Sequence, residues 1–439
     1  MNRHSLPLVG DLLAFQADRL GFLTGLARER GDVAAFRIGP FRAWQLAHPD
    51  DVRDVLVTHA GRFRKGPVLQ RARLVLGDGL LTAEGDVHRH HRRLLQSAFH
   101  PDRITAYAAV MAAQAAAVAG RWTAGAPVDV HAATVRMTLT TAGVTLLGTD
   151  VESDVATVER AVADLLSAYK LAFVPFGWRL QRIPVGPARR LRRGRASLRQ
   201  LVDRAIAQRR DDDGGTDLLS ALARPDGTDR LTEQQITDHA VTLLLAGHET
   251  TANALAFALH LLAHHPEAQA RVHAEVDDVV RGPLPQPSDL ERLPTCRAVI
   301  AEALRLFPPS WAMGRQGVDD HHVGGKVIPA GDLVVLPQWV VHRDPRWWPE
   351  PDRFDPDRWS AGTTQGRPRW AYFPFGAGVR MCIGEGFAWT EGVLALAVIA
   401  RSWRMRPVPE RPLQLEPLIT LRPRRGLWLR PEPRTIMVS

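Results

Sequence analysis

Phe375-Gly376-Ala377-Gly378-Val379-Arg380-Met381-Cys382-Ile383-Gly384 decides how the rest of this chain is read. The stretch sets one cysteine in a glycine-rich loop, two residues after an arginine. An apolar helical pattern from Phe387 to Ala400 follows it. Such a helix would present unpaired N–H groups and the positive end of its dipole to the sulfur, which favours a thiolate. The glycines allow positive φ and the close approach of a bulky partner. Arg380 offers a fixed cation to an anionic edge. A lone cysteine near a turn also reads as a small buried hydrophobe. The combination of thiolate, flat apolar partner and carboxylate edge points instead to haem, because cysteine ligation of haem pushes electron density toward O–O cleavage.

The bulk composition narrows the alternatives. The chain has 439 residues, 45% of them hydrophobic, and no stretch that reads as a linker, so one domain over residues 1–439 is expected. Two cysteines, Cys296 and Cys382, cannot build a disulfide framework, and a reducing cytoplasm is the expected compartment. No run of about twenty apolar residues suggests a transmembrane anchor. The net charge of +9 raises nucleic acid as a partner. Lysine, however, occurs only at Lys65, Lys170 and Lys326, and the arginines are spread along the chain. The densest run, Arg189 to Arg195, alternates with small and apolar residues and reads as a solvated helix face. No nucleic-acid partner is expected.

The expected architecture is mainly α, an α+β fold with helices in the middle and small sheets toward both ends. Val33–Ile38 and Trp44–Ala47 read as strands around Gly39-Pro40, and Val323–Ile328 and Leu333–Pro337 as later strands. Helical periodicity dominates from Asp86 to Val280. Its clearest member opens at Thr232 with Gln235 placed for a capping box, and runs without proline to His265. A helix so long and apolar must cross the middle of a large domain. A further helix covers Arg297–Phe307.

Three more groups carry candidate chemistry. Within the long helix, Ala246-Gly247-His248-Glu249-Thr250-Thr251 combines small residues with an acid and hydroxyls. Ala246 and Gly247 admit a flat group, Thr250 can bond back to the carbonyl of Ala246, and Glu249 sets an acid beside the resulting groove. In a segment opening near Gly85, His88 and Arg92 stand four apart and share a helix face. Glu302 and Arg305 lie one helical turn apart, ahead of Pro308-Pro309.

The cysteine stretch resembles the haem-binding signature of the cytochrome P450 family at every fixed position: Phe375, Gly376, Gly378, Arg380, Cys382 and Gly384. The segment from Ala246 to Thr250 resembles the family's oxygen-activation motif, Glu302 and Arg305 its Glu-any-any-Arg pair, and Pro351-Asp352-Arg353-Phe354 its Pro-any-any-Phe segment. The resemblance covers essentially the whole chain, with the landmarks in the family's order. It implies haem b with Cys382 as axial thiolate, Phe375, Gly384 and Ala246 against the macrocycle, and His88, Arg92, Arg380 and Arg315 on its propionates. Thr250 would steady the reacting oxygen and Glu249 would admit protons. Glu302, Arg305 and basic Arg353 would form a buried support for the cysteine loop.

The same resemblance implies a monooxygenase that inserts one atom of O2 into a C–H bond of an apolar small molecule: a terpenoid, a fatty acyl chain or a polyketide. Electrons would come from NAD(P)H through a separate ferredoxin or similar donor, docked near Arg89 and Arg93. Leu69, Phe173, Leu243, Trp311, Met313 and Ile419 fall in the family's pocket-lining segments. A haem-thiolate isomerase or peroxygenase is the alternative, disfavoured because Glu249 and Thr250 are both present. A haem sensor would need an added partner domain.

Overall fold

The apolar pattern after Thr232 becomes the axis of the molecule. The computed structural model describes residues 10–148, 154–169, 186–210, 219, 231–360, 362 and 365–434. The helices that build the site are α1 (Gly85–Gln96), α2 (Pro101–Ala119), α3 (Val130–Leu146), α4 (Gly186–Arg210), α5 (Glu233–His264), α6 (Pro266–Val279), α7 (Pro294–Leu306) and α8 (Glu385–Ser402). Helix α5 has 32 residues and is about 48 Å long. Thr232 and Gln235 form the capping box at its start, each side chain meeting the other's backbone. Pro266 occupies the first turn of α6 and so separates the two helices.

Helix α5 packs along α3 and against α7 and α8, while α8 packs on α2. Every residue of α8 from Thr390 to Ala400 is buried. A helix that is apolar on all sides belongs inside a large core, and α8 carries Cys382 on its N-terminal approach. Helix α7 begins at Pro294, earlier than the apolar pattern suggests. The carboxylate of Glu275 on α6 accepts the N–H groups of Thr295 and Cys296 at 2.6 and 2.9 Å, a cap supplied from another helix.

Strands β1 (Val33–Ile38), β2 (Phe41–Leu46), β3 (Phe63–Lys65), β5 (Met313–Gly317) and β8 (Leu333–Leu336) form a sheet in the order β1-β2-β8-β5-β3. β2 begins at Phe41, because Gly39 at φ +58 turns the chain tightly enough to pair Ile38 with Phe41. The single strand expected over Val323–Ile328 is a hairpin of β6 (His321–Val323) and β7 (Lys326–Ile328), split by Gly324 and Gly325, both at positive φ. β4 (Val128–Asp129), β12 (Trp428–Pro433) and β9 (Trp403–Pro407) form a second sheet, and β10 (Leu415–Pro417) pairs with β11 (Leu421–Pro423).

The arginine run lies on α4, with Arg189, Arg190 and Arg192 exposed and Arg193 paired to Asp164 at 2.8 Å. Among the described residues, no helix is long and apolar enough to cross a membrane.

Candidate active site

Two glycines shape the cysteine loop. Gly376 and Gly378 sit at φ +71 and +66. A Cβ on Gly378 would overlap the carbonyl oxygen of Leu56, and one on Gly376 would press on the Met313 side chain. The Cys382 N–H donates to the Phe375 carbonyl at 2.9 Å, closing the loop, and Arg92 on α1 donates to the Met381 carbonyl at 2.7 Å. Phe375 rests 5.7 Å, ring to ring, from Trp389, over which the Arg297 guanidinium also lies.

Cys382 has accessible surface and yet lies deep in the protein, because its residue opens onto an internal cavity. Burial pushes its thiol up, against a smaller downward pull from the Gly384 amide. The helix terminus and the loop amide favour a thiolate, as the stretch predicts, and burial opposes them. A metal cation on the sulfur would deprotonate the coordinating thiol outright. Cys296 is buried in α7 and does not reach the cavity.

The cavity measures about 340 Å³ and is mostly apolar. Cys382, Phe375, Gly384 and Arg380 line one side, and Leu243, Ala246, Gly247, Thr250 and Thr251 of α5 line another, with Met313 and Ser310 between. Thr250 donates to the Ala246 carbonyl at 2.7 Å, as the spacing predicts. Helix α3 completes the arrangement from behind: Thr138 donates to the His248 carbonyl at 2.8 Å and Thr134 to the Ala252 carbonyl at 3.1 Å. His248 turns away, buried, with Nδ1 2.6 Å from the Leu244 carbonyl.

Glu249 departs from expectation. It does not line the cavity; its carboxylate accepts the Thr420 hydroxyl at 2.9 Å and lies 3.9 Å from Arg422. Residues 249 and 250 are about 100° apart around the helix, so when Thr250 faces the cavity Glu249 faces the β10–β11 turn.

Of the six proposed lining residues, Leu243 and Met313 reach the cavity, and Phe173 lies outside the described residues. Leu69, Trp311 and Ile419 do not line it. Trp311 donates its indole N–H to the Leu418 carbonyl at 3.1 Å, and so braces the turn, and Ile419 is exposed.

One edge of the site gathers positive charge. Arg380, Arg315, Arg92, His88 and Lys65 converge around a single carboxylate, Glu84, which pairs with Arg380 at 2.7 Å and accepts the Lys65 backbone N–H. Arg315 is buried and pushed down to about 10 by burial and by Arg380, which leaves it charged at neutral pH. Burial, then Lys65 and Arg380, push His88 down to about 4, which leaves its ring neutral near pH 7. Lys65 is pushed down to about 7, chiefly by burial, with its ammonium on the carbonyls of Leu80 and Ala83. Lys65 and Glu84 escaped the sequence reading because they lie in no motif and meet only through the fold.

Behind the loop, Glu302 and Arg305 are fully buried and bidentate, at 2.7 and 2.9 Å. Arg305 also donates to the carbonyls of His342, Pro351 and Arg353. His342 Nε2 accepts the Phe373 N–H at 3.0 Å, which carries the network to the cysteine loop. The role expected of the Arg353 side chain is corrected. It is 61% exposed and paired with Glu350, and only its carbonyl joins the network. Arg358 stands there instead, 3.4 Å from Glu302 and 8% exposed. A bend around Pro351 to Asp355 turns residue 353 outward, which spacing alone does not reveal.

Comparison with known proteins agrees with this geometry. The Cytochrome P450 family model matches residues 2–431. The chain is 40% identical over 436 residues to Cyclooctatin synthase of Streptomyces melanosporofaciens, covering 98% of this chain and 94% of that one. It is 40% identical over 416 residues to Cyclooctat-9-en-7-ol 5-monooxygenase of the same organism, covering 92% and 89%. It is 37% identical over 437 residues to Pentalenene oxygenase of Streptomyces avermitilis, covering 98% and 96%. Among solved structures, the cytochrome P450DA heme domain superposes with a TM-score of 0.88 at 30% identity, covering 98% of this chain and 97% of that one. A match across nearly the whole chain, at the level of sequence and of fold, places this protein in the cytochrome P450 family, as a haem-thiolate monooxygenase.

Proposed function

We propose that this one-domain enzyme carries haem b on Cys382 and hydroxylates a cyclic terpenoid hydrocarbon, drawing electrons from a cytoplasmic ferredoxin. The carrying observation is that Cys382 opens onto an apolar cavity whose facing wall is the small-residue stretch of α5, with cations gathered at one edge. A flat apolar macrocycle with two carboxylates fits that arrangement: apolar walls for its faces, and Arg92, Arg315 and Arg380 with neutral His88 for its carboxylates. When bound, the haem supplies the activation of O2 that no side chain can perform.

The protein's own residues have narrower tasks. Gly376 and Gly378 let the loop backbone come close enough for Cys382 to reach the metal. Thr250 turns its hydroxyl proton into the helix and leaves lone pairs toward the cavity, where they can accept and orient a proton. Glu249, one residue away, admits protons from the side of the β10–β11 turn. The apolar lining, with Ser310, Thr250 and Thr251 among its few polar points, holds a hydrocarbon and excludes water. In balance, one C–H and one O2 take up two electrons and two protons to leave C–OH and water. The names of the relatives, an oxygenase of pentalenene and a monooxygenase of cyclooctat-9-en-7-ol, favour a cyclic terpenoid over an acyl chain or polyketide. The exposed Arg89 and Arg93 on α1 offer a basic face to an acidic ferredoxin.

The test is spectroscopic. Reduced protein under CO should show the band of thiolate-ligated haem, and Cys382→Ser should remove it. Retention of the band in that variant would overturn the ligand. Cyclic terpene hydrocarbons should shift the ferric spin state and, with isotope-labelled O2, yield an alcohol carrying one labelled oxygen. A response to fatty acids alone would overturn the substrate class.

A further inference from the structure

Glu249 is held by a chain of hydrogen bonds that begins on another helix. His131 Nε2 of α3 lies 2.9 Å from Asn253 Oδ1, the Asn253 amide lies 3.5 Å from Thr420 Oγ1, and Thr420 Oγ1 lies 2.9 Å from Glu249 Oε1. Asn253 is 0% and Thr420 8% exposed, so water competes poorly for these bonds.

The direction of the chain follows from its last member. The Thr420 hydroxyl donates its single proton to Glu249 Oε1. Thr420 must then accept from the amide nitrogen of Asn253. That leaves the Asn253 oxygen facing His131, whose Nε2 must carry its proton. Burial pushes His131 down, in keeping with a neutral ring. Arg422, 3.9 Å from Glu249, is drawn more closely to Glu416 at 2.8 Å.

Thr420 sits in the β10–β11 turn, and that turn is stitched to the cavity wall. The Leu421 N–H donates to the Pro309 carbonyl at 2.8 Å, and the Trp311 indole donates to the Leu418 carbonyl at 3.1 Å. Pro309 and Ser310 line the cavity. A displacement of that wall therefore moves the hydroxyl that holds Glu249.

We propose that Thr420, Asn253 and His131 are positioning residues for Glu249, and that the β10–β11 turn couples filling of the cavity to proton entry. In the resting arrangement the chain keeps the carboxylate away from the cavity. When the Pro309–Trp311 wall moves, the Thr420 bond loosens and Glu249 is free to turn toward Thr250. The inference rests on the reading of Glu249 as the point of proton entry.

The experiment compares Thr420→Val, which keeps shape and loses the hydroxyl, with Thr420→Ser and Glu249→Ala in the holoenzyme. Thr420→Val should keep the CO spectrum and the substrate-induced spin shift, yet lower product per NAD(P)H several-fold with the difference released as hydrogen peroxide. It should also change the solvent deuterium isotope effect on turnover. Thr420→Ser should restore both. Thermal melts supply a readout independent of activity: the Tm losses of Thr420→Val and Glu249→Ala should be less than additive in the double variant. Uncoupling by Glu249→Ala without any by Thr420→Val, or strictly additive Tm losses, overturns this inference alone. No change in peroxide yield with Glu249→Ala overturns the proton-entry reading and this inference with it.

Discussion

The Thr250 hydroxyl donates to the carbonyl of Ala246 at 2.7 Å, and both residues line the cavity that Cys382 opens onto. The bond consumes the hydroxyl proton within α5 and orients the oxygen at the point where the helix meets the site. Thr250→Ala should therefore leave haem content and the CO spectrum intact while product per NAD(P)H falls several-fold and peroxide rises. Thr250→Ser should keep most of the coupling. Equal product yield in Thr250→Ala, measured as a ratio to NAD(P)H consumed, would sink the role assigned to the hydroxyl.

Glu302 and Arg305 are both fully buried, and each satisfies the other. Removing Arg305 should cost about 3–5 kcal/mol, since buried Glu302 keeps only the longer Arg358 ion pair at 3.4 Å and the carbonyls of His342, Pro351 and Arg353 lose their donor. Arg305→Leu should accordingly unfold at far lower urea and lose haem. Arg353→Ala should change stability by no more than about 0.5 kcal/mol, because its exposed side chain pairs with the equally exposed Glu350 while its carbonyl remains. Urea midpoints in the opposite order would contradict the network described here.

Gly378 combines a φ of +66 with a Leu56 carbonyl where a side chain would stand. Gly378→Ala should cost about 1–3 kcal/mol of local strain and displace the cysteine loop. Haem retention on dilution is the sensitive measurement, and an Ala variant that holds haem as tightly as the parent would show that the loop accommodates a Cβ.

Glu391 on α8 is 1% exposed, and one carboxyl oxygen has no partner. Burial, partly offset by the Thr141 hydroxyl, pushes it up to about 8 from 4.5. The folded state thus keeps a proton that the unfolded chain releases above about pH 4.5. Between these values the folded state binds more protons, so stability falls as pH rises and levels off above about 8. Glu391→Gln should be nearly neutral at pH 5 and stabilising by a few kcal/mol near pH 8. Parallel Tm-against-pH curves for the two proteins would refute the neutral buried acid.

How much was legible in the chain depends on the range of the interaction. The Thr232–Gln235 capping box, the Thr250–Ala246 bond, the Glu302–Arg305 pair and the glycines of the cysteine loop all join residues within about one helical turn or one short loop. Spacing carries their geometry directly. The sheets at the chain's end, the hairpin at Gly324-Gly325 and the cap from Glu275 depend on partners far along the chain, and composition says little about these.

The amino-acid sequence by itself determined the cysteine loop, the long helix with its hydroxyl and small residues, and the membership these imply, because each is written in local periodicity and backbone chemistry. Tertiary structure alone decided which way Glu249 faces, that Arg358 rather than Arg353 reaches Glu302, that Lys65 and Glu84 join the cationic edge, and that Cys382 is raised by burial. The physical reason is common to all four. Burial and the direction of a side chain are properties of packed surfaces, and they are set by what folds against a residue rather than by what precedes it.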